Sequence, residues 1–431
     1  MRNPKYSIIR RIILVAVCTA AIISGAGASD KQQIKPSKAA EKALKQAEKL
    51  SSDVTKAGDA RKNIADALKD SVLAGEAKTY YVAGRISDNI YNDYVKKLSI
   101  NPKDPKVDKG KMADALMDAY HNFTRAIELD TVTDRKGRIK TKYSPELALW
   151  IHTHIPQFYN AGIQYTSRKE YYPKACEAFE VYATYPEKPY AVPHPEHNDS
   201  TLANAFFYAG VCAYNGGEYK HAAGDFQKAI AHNYPRQEAL LNQMVCYRRM
   251  AENDSTLTRE SLIKITELAQ EGLRLYGYSS PVYIQKFVAG ALQLDRKNDA
   301  LDAITSLLIK NPGDTRLLSL KAETLALTGL QDDAIPVYMQ VSKADDVDFP
   351  TLLAAAKLLT HKGITELNKV QTSGRTARKK RKEICAKWLT PALEIADKAK
   401  GLAARNDKAY SAADLHDLEN TIATIHYYTA K

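Results

Sequence analysis

The chain has 431 residues and a formal charge of +12, with 45% hydrophobic and 26% charged residues. That balance excludes a collagen-like, broadly disordered or multispanning membrane protein, and the length suits two to four ordinary domains or one long repeat array. There are only 20 Gly and 17 Pro among abundant Ala, Leu, Lys, Glu and Asp, so helix is favoured over a loop-rich all-β fold.

Residues 1–28 read as an export leader. Arg2, Lys5, Arg10 and Arg11 form a basic start, Ile12 to Ile23 is apolar, and Ala26-Gly27-Ala28 offers small residues for cleavage after Ala28. The apolar run rises about 18 Å as a helix, short of a ~30 Å bilayer core. An uncleaved anchor is the alternative; a lipid on Cys18 fits less well, because Val17 stands where a small residue is wanted. Cleavage removes four basic residues and no acid, which lowers +12 to +8. The expected location is the periplasm or an outer-membrane-associated part of the cell envelope. No later stretch has eighteen uninterrupted apolar residues, so no transmembrane segment is expected after cleavage.

Residues 29–59 are expected to form a linker and a capping helix. Ala40, Leu44, Ala47, Ile64 and Ala67 give amphipathic helical spacing across residues 38–73. Residues 60–400 then repeat a helical phrase. A small residue, an aromatic and a small or apolar residue follow at steps of four and three, on one helix face. Examples are Ala119, Phe123, Ala126; Ala175, Phe179, Tyr182; Ala222, Phe226, Ala229; and Ala334, Tyr338, Val341. The helix before each phrase has its own signature. Tyr80-Tyr81-Val82-Ala83-Gly84, Phe158 to Gly162 and Phe206 to Gly210 each place two aromatics ahead of Ala-Gly, which lets a neighbouring helix approach closely. The interval from Ala300 to Ala334, like that from Cys212 to Cys246, is 34 residues. Residues 401–431, with Leu415, Leu418, Ile422, Ile425 and Tyr428, read as a closing helix.

These motifs resemble the tetratricopeptide repeat family, whose unit is a 34-residue antiparallel helix pair. The best match is Ala203 to Pro235, and about seven units with insertions cover residues 60–400. The resemblance implies an all-α, right-handed solenoid whose concave face is lined by first helices. Carried over position by position, it places Tyr81 and Arg85, then Asn204, Phe207, Tyr214 and Asn215, then Arg248 and Arg249 in that groove. Further along it adds Gln285, Arg316 and Glu323. Tyr and Arg are common binding anchors, so a protein or peptide partner is expected. The Lys and Asn set with which chaperone-binding relatives clamp a terminal carboxylate is not present.

Three segments do not repeat: residues 101–111, 186–200 and 371–382, all expected to be surface loops. In the second, His194-Pro195-Glu196-His197 offers three metal-ligand types, but its prolines prevent a helix presenting both imidazoles, and it lacks the H-E-x-x-H order. In the third, the basic run Arg375–Lys382 suits an anionic envelope component, or is a solvated helix start. Nucleic acid is not an expected partner of an exported chain. Most of Cys176, Cys212, Cys246 and Cys385 read as buried free thiols; Cys212 and Cys246 hold equivalent places about 8–10 Å apart, too far to bridge.

The sequence holds no G-x-S-x-G elbow, phosphate-cradling loop or CxxC pair. The first expectation is therefore a non-catalytic adaptor with no catalytic residue, metal or cofactor. An outer-membrane-associated glycan-binding protein is the alternative, since sugar-binding outer-membrane lipoproteins also use tetratricopeptide-like helices and the rings of the 26 Tyr suit sugars. An enzyme with its site in the insertion at His194–His197 is a second alternative.

Overall fold

A computed structural model describes residues 35–133, 139–193, 197–370, 374–405 and 410–430. The proposed leader and Cys18 lie outside the described residues, as do His194, Pro195 and Glu196. The fold is all-α apart from a ribbon of two paired two-residue strands, β1 (Val132–Thr133) and β2 (Ile139–Lys140). Among the described residues no helix is long and apolar enough to cross a membrane. The chain divides into two units, residues 1–250 and 251–431.

In the first unit, α1 (Lys38–Leu50) packs on α2 (Ala57–Ala67). The Ser37 side chain accepts from the Ala40 N–H and satisfies one free donor at the start of α1. Ala40, Leu44 and Ala47 meet Ala60, Ile64 and Ala67, and the seam continues into Val82 and Ile86. Next come the pairs α3 (Ala77–Ile100) with α4 (Lys109–Leu129), α6 (Ile155–Tyr165) with α7 (Tyr172–Thr184), and α8 (Asp199–Asn215) with α9 (Tyr219–Ala231). The short α5 (Ser144–Thr153) precedes α6, and α10 (Arg236–Asn253) follows α9.

One contact explains the pairing. The Ala-Gly of each first helix receives the aromatic of the second helix. A Cβ on Gly84 would stand 2.3 Å from Phe123, one on Gly162 would stand 2.8 Å from Phe179, and one on Gly210 would stand 3.0 Å from Phe226. Each ring therefore lies where any larger residue would push it away. The three Phe rings are about 1% exposed, and each buried ring stabilises the fold by roughly 1.5–3 kcal/mol.

Asp130 builds the ribbon's base. It is 2% exposed, and its carboxylate accepts from the backbone N–H groups of Lys142, Tyr143 and Ser144 and from the Ser144 hydroxyl, at 2.6–3.0 Å. One anion thus ties the end of α4 to the start of α5.

The second unit contains α11 (Thr258–Tyr276), α12 (Pro281–Gln293), α13 (Lys297–Lys310), α14 (Thr315–Leu327) and α15 (Gln331–Val341). Each packs on its successor. After them come α16 (Phe349–Asn368), α17 (Arg375–Ile384), a π-turn at Cys385–Leu389, α18 (Thr390–Arg405) and α19 (Ala412–Thr429). Here the close approach is made differently. Gly272 faces Tyr283, Gly290 faces Thr266, and Gly363 receives Leu389 from the π-turn. Asp314 and Asp348 cap α14 and α16 by accepting from Leu317 N–H and Thr351 N–H.

Candidate functional sites

The sequence-derived groove residues fall into separate places. On α3, Arg85 donates to the Tyr81 hydroxyl at 3.3 Å and approaches Glu146 of α5 at 3.7 Å, while the Tyr81 ring stacks on Tyr143. On α8, Asn204 is half-buried and Asn215 exposed. The Tyr214 hydroxyl accepts from Arg249 Nε at 3.3 Å, which joins α8 to α10. Arg248 and Arg249 are both exposed. Phe207 departs from the expectation. It is 6% exposed, its ring lies parallel to Tyr234 with centroids 4.0 Å apart, and it also meets Phe226. The second aromatic of that signature therefore belongs to the core, because the chain after α9 turns Tyr234 back over it.

The second unit gathers its three residues into one groove of about 510 Å³. Its walls come from α12, α14 and α16, the alternate helices of the series. Gln285 projects from α12, and Arg316 and Glu323 from α14; Tyr278, Asp346 and Asp348 complete the polar lining. Tyr278 donates to Asp314 at 2.8 Å, and Thr315 donates to Asp346 at 2.7 Å, which fixes two of these groups. Three acids face one Arg here, so the groove favours positive charge in what it holds.

A second constellation was not anticipated. Cys176 and Glu180 on α7, and His221 and Asp225 on α9, bring four potential ligand atoms within 4.8 Å of one another. Each pair is one helical turn apart. Cys176 and Glu180 follow the seam residues Ala175 and Phe179, while His221 and Asp225 precede Ala222 and Phe226. Opposite flanks of two equivalent helices therefore meet. His221 Nε2 lies 2.7 Å from Glu180 and 3.5 Å from Asp225 Oδ2. Lys228 donates to Asp225 Oδ1 at 3.0 Å. Burial, with the Glu180 charge beside it, pushes the Asp225 carboxyl up to about 6. Burial also raises the Cys176 thiol, so it is not a poised nucleophile. The sequence signal available was two i,i+4 pairs of ligand-type residues around matching anchors; only the packing of α7 beside α9 unites them.

The remaining expectations find these places. The basic run is not a loop: residues 375–382 begin helix α17, with most of its cations exposed. Of the insertion histidines only His197 is described, and its ring packs against Tyr182 and Tyr185. Trp150, one of two tryptophans, donates its indole N–H to Asp88 and stacks on His154. Cys176, Cys212, Cys246 and Cys385 are all free thiols.

Antiparallel helix pairs in series, three of them in the first unit closed by an aromatic on an Ala-Gly seat, make this a tetratricopeptide-like repeat fold. No protein-family model matches the chain, and no curated protein matches it. Among solved structures it is similar to a TPR repeats protein from Bacteroides fragilis, at 16% identity over 62% of this chain and 98% of that one, with a TM-score of 0.32. It is also similar to YrrB, described as a TPR protein with an unusual peptide-binding site, at 16% identity over 45% of this chain and 86% of that one, with a TM-score of 0.28. Yeast Tom70 matches at 15% identity over 91% and 96%, with a TM-score of 0.21.

Proposed function

We propose that this tetratricopeptide-like chain is a non-catalytic adaptor that holds an extended peptide segment of a protein partner in the groove of its second unit. The observation that carries the reading is the convergence of Gln285, Arg316 and Glu323 on one open groove with Tyr278, Asp346 and Asp348. Its walls carry both apolar and polar groups, which suits a backbone with side chains of both kinds. The excess of acids selects a segment carrying Lys or Arg, with Arg316 taking an acidic side chain or a carbonyl. The basic leader with its small-residue cleavage pattern supports a role in the cell envelope after export.

The test is a pull-down from the envelope fraction, followed by titration of the captured partner's peptides. Glu323→Lys and Arg316→Glu alter exposed side chains and should leave folding intact. Each should weaken binding about 10-fold or more, as expected for loss of a rim or anchor charge pair. Binding at the unaltered level in both variants would reject the groove.

A further inference from the structure

We propose that Cys176, Glu180, His221 and Asp225 form a binding site for a divalent metal ion of the zinc class, clamping α7 to α9. The donor set is one thiolate sulfur, one imidazole nitrogen and two carboxylate oxygens, all supplied one turn apart from two rigid helices. Zinc takes such mixed sets with tetrahedral geometry, while calcium and magnesium take oxygen alone. Tetrahedral bonds of about 2.0–2.3 Å put neighbouring donors roughly 3.3–3.8 Å apart. The four donors stand within 4.8 Å, about 1–1.5 Å beyond that spacing at most, a gap the bound ion would draw closed.

Asp225 gives the independent sign. The residue is 0% exposed, and its Oδ2, buried and facing the cluster, accepts no hydrogen bond. A buried carboxylate oxygen without a donor is costly, and here a second carboxylate stands nearby. A cation between them satisfies both. The other oxygen of Asp225 is held by Lys228, which also stacks over Phe206. Lys228 Nζ also lies 4.0 Å from Glu180, so it orients both carboxylate ligands, as outer hydrogen bonds do at established metal sites. His221, about half exposed in its side chain, opens the site to solvent, while Glu180 is partly covered. Binding displaces the thiol proton of Cys176 to solvent and the proton between His221 Nε2 and Glu180 to Nδ1 or solvent, leaving metal–thiolate, metal–imidazole and metal–carboxylate bonds in their place.

The experiment uses the full chain, stripped with chelator and titrated with Zn²⁺ by calorimetry, and with Co²⁺ as a spectroscopic probe. The expected result is one ion per chain, with a thiolate-to-cobalt charge-transfer band and d–d absorption of tetrahedral intensity. His221→Ala and Glu180→Gln change accessible groups and should each lower Zn²⁺ affinity at least about 100-fold, since even outer-shell losses cost 10–100-fold. Cys176→Ser should remove the charge-transfer band. Should Cys176→Ser fail to fold, iodoacetamide labelling replaces it, and Zn²⁺ should slow modification of Cys176. A chain with native circular dichroism that binds no stoichiometric Zn²⁺ overturns the site. So does Co²⁺ binding without a thiolate band, or affinity unchanged in His221→Ala.

Discussion

Gly84→Ala should destabilise the first unit, although alanine is the better helix former. Two effects oppose each other. In a helix interior, Ala is favoured over Gly by about 1 kcal/mol. Against that, a Cβ at position 84 would lie 2.3 and 2.4 Å from two ring atoms of Phe123, whereas carbon atoms rest at about 3.5–4.0 Å. The ring must retreat by more than an ångström, yet it is 1% exposed and packed in a cluster with Ala119, Leu147 and Trp150. Overpacking of this kind costs about 1–3 kcal/mol, and this clash sits at the upper end. The net loss is therefore ~2 kcal/mol, or about 4–8 °C in melting temperature for a unit of this size. Gly401→Ala is the control. Gly401 lies inside α18 with nothing within 4 Å of the added carbon, so it should gain about 0.5–1 kcal/mol. Gly162→Ala and Gly210→Ala, with clashes at 2.8 and 3.0 Å, should fall in order between them. The assay is urea denaturation followed by far-ultraviolet circular dichroism. Pairing Gly84→Ala with Phe123→Leu should cost less than the sum of the single changes by at least ~0.5 kcal/mol. If the substitutions at 84 and 401 shift stability alike and in the same direction, the seat has no role in packing and the reasoning fails.

Other outcomes follow from the same geometry. Asp130→Ala strands three backbone donors and one hydroxyl and should lose ~3 kcal/mol of stability in urea; a loss below ~0.5 kcal/mol would show the carboxylate is dispensable. Phe207→Ala should cost about 3–5 kcal/mol as a core truncation, while any folded fraction keeps its partner affinity in titration. The pH dependence of His154 has a definite sign. Burial holds its imidazole below the ordinary 6.5, against a backbone carbonyl and Asp88 that favour the charged form. The unfolded chain then takes up the proton first as pH falls, so stability present above 6.5 is lost on acidification towards the lower folded value. His154→Gln should flatten that part of the stability profile between about pH 7.5 and 5.5; a steeper acid loss in the variant would contradict the assignment.

The helix pairs were legible because their determinants are local. An aromatic pair before Ala-Gly in one helix, and Ala-aromatic-Ala in the next, describe the two halves of a single contact, and the structure joins them at Gly84, Gly162 and Gly210. The ribbon was not legible. It depends on Asp130 reaching amides twelve to fourteen residues away, and nothing near Asp130 in the chain marks it as different from other acids. The π-turn at Cys385–Leu389 escaped for a similar reason: it serves Leu389, which fills the space left by Gly363. Phe207 was misplaced because position along a helix does not reveal what the following turn folds over it. The four-residue constellation between α7 and α9 was invisible for the plainest cause. Its halves lie on separate helices, and each half alone is a buried residue one turn from a more open one, as on any amphipathic helix.

The glycine seats also set an order of assembly. In α3–α4, α6–α7 and α8–α9 each seat and its ring belong to consecutive helices, so the fit can close as soon as the second helix is free to fold. Nothing downstream is needed to choose the partner. Contacts of short sequence separation form quickly, and a growing chain would lock hairpin by hairpin, each finished step presenting a ready template to the next. Shuffling or duplicating a single pair would carry its lock and key along together, which is a route by which such chains can lengthen without relearning how to fold.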